Sequence, residues 1–134
     1  LEVQLPFLQR ILNDFSLLPL VVGDASSDQV ANVLRAVWGG EETLIVVSSD
    51  LSHYHSYTEA QYMDQQTTTM IEQFDHHLLE SQACGCRAVN GLLKLADDKG
   101  MSLKTLDLRN SGDSTGVQAA DKSRVVGYGA YVIY

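Results

Sequence analysis

The sequence predicts an α/β fold, a layered mixed sheet flanked by helices, on three observations. Short apolar runs that read as strands alternate with longer stretches of helical periodicity. Polar residues break in abruptly at the end of the Thr43–Val47 run, as they do at the carboxyl ends of buried strands. The last segment, Arg124 to Tyr134, is strand-like and carries two glycines, which suggests a terminal antiparallel hairpin beside a parallel part.

Each element has a local reason. From Glu2 to Leu12, either Val3, Phe7 and Ile11 or Leu5, Leu8 and Leu12 share a helical face, with Pro6 tolerable in the first turn. Leu17 to Val22, ended by Gly23-Asp24, reads as a buried strand whose register Pro19 disturbs. Ser26 or Ser27 caps a helix through Val30, Val33, Leu34 and Val37 that Gly39-Gly40 stops. Thr43 to Val47 is the clearest strand.

Two helices follow, from about Thr58 to Phe74 and from about Cys86 to Lys99, the second closed by Gly100. Leu103 to Leu108 alternates as a strand does, and Asn110 to Gly116 is a Gly/Asp/Ser loop. With 134 residues, 45% of them hydrophobic, the chain suits a single domain over 1–134. It opens at Leu1 inside an apolar pattern, so an upstream segment is expected.

Charge and composition exclude some function classes. A net charge of −8 and an isoelectric point near 4.7 repel phosphate backbones and anionic lipid. No apolar run approaches the roughly 20 residues that cross a bilayer. The two cysteines, Cys84 and Cys86, stand one residue apart, a poor disulfide spacing that fits a reducing, cytoplasmic setting.

The chemistry-bearing residues concentrate after the Thr43–Val47 run. In Ser48-Ser49-Asp50-Leu51-Ser52-His53, a carboxylate and an imidazole three positions apart either converge on a small substrate or metal, or Asp50 caps a turn while His53 packs at the surface. His55 reads as a solvated loop residue.

Cys84-Gly85-Cys86 lies in a turn leading into a helix, where unpaired N–H groups favour a thiolate, but buried, inert cysteine is the commoner outcome for such a pair, and Cys-X-Cys without a second pair does not make a structural zinc site. The adjacent His76 and His77 cannot point the same way on a helix or strand, so at most one could join a site, and both read as exposed. Ser48 and Ser49 lack the Gly-X-Ser-X-Gly elbow of a hydrolase. The 110–116 loop lacks the Lys-Ser/Thr ending of a phosphate loop and reads as a rim loop.

Taken in order, Glu2-Val3-Gln4-Leu5-Pro6-Phe7-Leu8, Val22-Gly23-Asp24, Ser48-Ser49-Asp50-Leu51-Ser52-His53-Tyr54, Ala83-Cys84-Gly85, Asn110-Ser111-Gly112-Asp113 and Val126-Gly127-Tyr128 resemble the Memo family, the AmmeMemoRadiSam system protein B group. The resemblance reaches the carboxyl-terminal half of a family member. It implies a fold similar to that of the LigB-like class III extradiol dioxygenases and two further metal-binding histidines from an amino-terminal half.

In those dioxygenases two histidines and a glutamate hold iron. In the Memo pattern a cysteine replaces the glutamate, and it corresponds here to Cys84. His53 falls where the dioxygenases carry an acid/base histidine, Asp50 falls on the same loop, and Cys86 matches nothing.

The resemblance thus implies a mononuclear iron, copper or zinc centre with Cys84 and His53 as ligands, and redox or dioxygenase-like chemistry involving His53 and Asp50. The alternative it leaves is a non-catalytic module whose rim groove receives a small molecule, a peptide or a partner protein. Pairing with the amino-terminal half, or oligomerisation, would cover strand edges otherwise left open.

Overall fold

Leu93 and Leu95 explain how the helices are arranged. Two positions apart on a helix, they point to nearly opposite sides, and each is almost wholly buried in a different cluster. The computed structural model describes residues 2–114 and 121–134. In it, helix α1 spans Leu5–Ile11, α2 Ser27–Val37, α3 Tyr57–Glu72 and α4 Cys86–Asp98. Strand β1 spans His53–His55, β2 Leu103–Asn110 and β3 Val125–Ile133, with a single 3₁₀ turn over Ser111–Asp113.

On one side, Leu93 joins Leu51, Ile71, Leu78, Ala83 and Cys86. On the other, Leu95 packs with Val30, Ala31 and Leu34 of α2, and Val22 and Ile45 lean on that cluster. The two helices approach so closely that a Cβ on Gly91 would lie 2.2 Å from Val30 Cγ1. Ser26 caps α2 as expected: its hydroxyl accepts from Gln29 N–H, and the Gln29 side chain accepts from Ser26 N–H. Gly100, at φ 65, ends α4 in the left-handed conformation that glycine adopts freely.

The sheet has the order β1-β3-β2, with both pairings antiparallel. Its core-facing residues reveal a device that simple alternation misses. Leu103 and Leu108 both pack on the core although their positions have opposite parity. The register slips between Thr105 and Asp107, which puts Leu106 in a bulge, exposed, and lets the strand change parity so that Leu103 and Leu108 both face the core.

Three expectations are corrected. The runs Leu17–Val22 and Thr43–Val47 are not strands, and the described sheet has no parallel part. A strand forms where a neighbour takes up its N–H and C=O groups, and the described sheet offers these runs none. Their side chains show the result: Val21 is 91% exposed and Leu44 66%.

Helix α1 is shorter than the predicted 2–12 span. Pro6 lies in its first turn as foreseen, but the face carrying Val3, Phe7 and Ile11 is exposed and no residue of the helix is buried. Finally, His76 and His77 lie in irregular backbone, where their rings do stack, with centroids 4.5 Å apart. Neither joins a ligand-type cluster among the described residues; His77 is exposed as expected, whereas His76, expected to be exposed, is half-buried under its stacked neighbour.

Candidate metal centre

Two backbone segments, 48–53 and 83–86, are laid against each other by reciprocal hydrogen bonds. Cys84 N–H donates to the Asp50 carbonyl at 3.2 Å, and Asp50 N–H donates to Cys84 Sγ at 3.2 Å. Ser49 ties the turn further: its hydroxyl donates to the Asp50 carbonyl at 2.8 Å and accepts from Gly85 N–H at 2.9 Å. Contact this close requires glycine at 85, since a Cβ there would meet Ser49 Cβ at 2.8 Å and the Ser48 carbonyl oxygen at 3.1 Å.

The other wall is β1. Its register slips between His53 and His55, and Tyr54 stands at φ 62, left-handed for a residue with a side chain. Tyr54 is thereby turned out to solvent under the Arg124 guanidinium, 4.8 Å from its ring centroid. His53 Nε2 comes 3.5 Å from Asp50 Oδ2.

Asp50, His53 and Cys84 each offer a donor atom, and these atoms lie within 4.8 Å of one another. Among the described residues this is the one group of three or more histidine, cysteine or carboxylate side chains close enough to hold a metal. Cys84 is exposed and the other two are partly so, which leaves the group open to solvent.

The donor chemistry fits a metal of intermediate softness. A thiolate, an imidazole and a carboxylate suit zinc, iron or copper better than magnesium or calcium. Around a tetrahedral ion with bonds of about 2.0–2.3 Å, donors sit roughly 3.3–3.7 Å apart. The His53–Asp50 separation of 3.5 Å falls in that range and beyond an ordinary hydrogen bond.

The remaining candidates fall elsewhere. Cys86 is buried in the core beside Leu93, and burial first, then the nearby Glu80 carboxylate, pushes its thiol pKa up. His55 lies outside the ligand group, next to Glu59. His77 Nδ1 meets Asp75 Oδ1 at 2.8 Å, and both His76 and His77 line a separate groove between the first turns of α2 and α4.

Ser49, set aside as a nucleophile, is the organiser of the cysteine turn, a role that no motif signals. The described part of the 110–116 loop, through Ser114, folds on itself. Asp113 accepts from Asn110 N–H, and Asn110 accepts from Gly112 N–H. Thr115 and Gly116 lie outside the described residues.

The family model for Memo-like protein matches residues 1–132. The chain belongs to the Memo family. MEMO1 family proteins of Methanosarcina mazei and Thermoplasma acidophilum are each 33% identical to it, over 99% and 98% of this chain. One from Aquifex aeolicus is 37% identical over 96%.

These alignments take in 54%, 51% and 51% of the respective relatives, so this Memo-family chain spans about half the length of the curated relatives it matches. Among its described residues, no helix is long and apolar enough to cross a membrane.

Proposed function

We propose that this Memo-family chain contributes Cys84, His53 and Asp50 to a mononuclear metal centre that serves redox, dioxygenase-like chemistry. The observation that carries this reading is the meeting of three unlike donor groups, from two segments more than thirty positions apart, within 4.8 Å of one another on an open surface.

Cys84 and His53 are the principal ligands, and Asp50 is an auxiliary one. The two further histidines implied by the family resemblance would come from a segment equivalent to the half of the relatives that this chain does not span. Iron or copper bound there would supply one-electron or oxygen chemistry. The chain's own residues hold the ligands in register: Ser49 and the Asp50 amide fix the sulfur, and the β1 slip aims the imidazole.

Metal analysis of the full-length protein tests this. Wild type should carry close to one equivalent, Cys84→Ser should lose affinity by about tenfold or more, and Cys86→Ser should match wild type. Equal metal content in wild type and Cys84→Ser would overturn the metal centre. A rim that binds peptide without regard to these side chains would then be the surviving reading.

A further inference from the structure

We propose that Asp64, which lies outside the ligand group, is the positioning residue of the centre. Its buried carboxylate latches the backbone between Asp50 and His53, so that both side chains face Cys84. This inference rests on the reading of that cluster as a metal site, and extends it from ligands to what holds them.

Asp64 sits in α3 and is only 2% exposed. A carboxylate taken out of water is costly unless hydrogen bonds replace its hydration. Here Oδ1 accepts from Ser52 N–H at 2.9 Å. The carboxylate reaches that amide because residue 127 has no side chain: a Cβ on Gly127 would lie 2.0 Å from Oδ2 and 2.6 Å from Oδ1.

Gly127 completes the latch from β3. Its N–H donates to the Ser52 carbonyl at 2.8 Å and its carbonyl accepts from Leu51 N–H at 2.9 Å. Three hydrogen bonds therefore converge on Leu51 and Ser52, the two residues separating Asp50 from His53. Leu51 is buried in the core beside Ala83, immediately before Cys84, so the latched segment and the cysteine turn share one support. The Ser52 hydroxyl, also buried, finds no partner among the described residues. The hold on this segment is made through its backbone.

Backbone amide exchange in the metal-free full-length protein, with zinc affinity measured separately, tests the latch. In Asp64→Ala, exchange at the Asp50 and Ser52 amides should rise about tenfold or more while Leu93 and Leu95 in α4 keep their protection, a local opening rather than a global loss. Zinc affinity should fall roughly 10- to 100-fold, as for other groups that orient metal ligands.

Asp64→Asn keeps the oxygen that accepts from Ser52, so its affinity should stay within about threefold of wild type. Ser52→Ala should do the same. Should Asp64→Ala fail to fold, the near-isosteric Asp64→Asn still decides: a tenfold loss in it would overturn the latch. So would Asp64→Ala with wild-type exchange at Asp50. If wild type binds no zinc, the metal reading fails, while the exchange measurement still judges the latch.

Discussion

Leu17–Val22 and Val125–Ile133 are both short apolar segments, and composition alone would make strands of both. Only the second is one. Val125–Ile133 has β1 on one side and β2 on the other, and its odd-numbered residues turn inward over α3 and the core. Leu17–Val22 has no place in the described sheet, and only Val22 of its residues packs against a buried cluster. Burial of side chains is available to any apolar run that folds back, but a strand must also find a partner for every second amide. The difference between the regions is one of hydrogen-bond supply.

The largest expected effect comes from setting these regions against each other. Leu93→Ala removes a side chain that is 1% exposed at the centre of the main cluster, and should cost about 2–5 kcal/mol in chemical denaturation. Val21→Ala, at 91% exposure, should stay within about 0.5 kcal/mol. Losses of similar size from both would mean that the 17–22 run is covered in solution, and the contrast would disappear.

Intermediate in size is Gly91→Ala. The new methyl would sit 2.2 Å from Val30 Cγ1, so α2 and α4 must part. Overpacking of that kind costs about 1–3 kcal/mol, against the small gain that alanine brings to a helix interior. An unchanged melting temperature would show that the α2–α4 contact is looser than the distance states. Val30→Ala combined with Gly91→Ala should recover part of the loss, because it empties the space the methyl enters.

What could be read from the sequence follows the same physical line. Helices satisfy their own backbones, so α2, α3 and α4 came out close to their predicted spans, with Ser26 and Gly100 marking two of the ends. The hairpin of β2 and β3 was legible because turn residues separate two runs of strand character. The bulge at Leu106 was hidden, since alternation carries no sign of where it will slip.

At the site, Asp50, His53 and Cys84 were singled out and the fold brings them together. The strand expected to present Asp50 did not form, and the meeting is arranged instead by Ser49, Gly85 and Gly127. Those residues act through close backbone approach, which depends on the neighbour across the gap. A single sequence holds no record of that neighbour.

The smallest predicted effect concerns the turn after β2, which borders the same sheet at its solvent edge. The Tyr57 hydroxyl donates to Asp113, and with Asn110 N–H it holds the Asp113 carboxyl below its ordinary pKa. A carboxyl depressed in the folded state stabilises the protein above its unfolded pKa of about 3.9, and that contribution is lost as pH falls through the folded value. Asp113→Asn removes the titrating group. Its stability should therefore fall less than wild type between about pH 5 and pH 3, with little change in shape of the curve at neutral pH. Asp113 is exposed, so solvent screens the interaction and the difference should be modest. Thermal melts across that window measure it, and parallel acid limbs for the two proteins would show that the Tyr57–Asp113 bond does not couple this turn to the stability of the sheet.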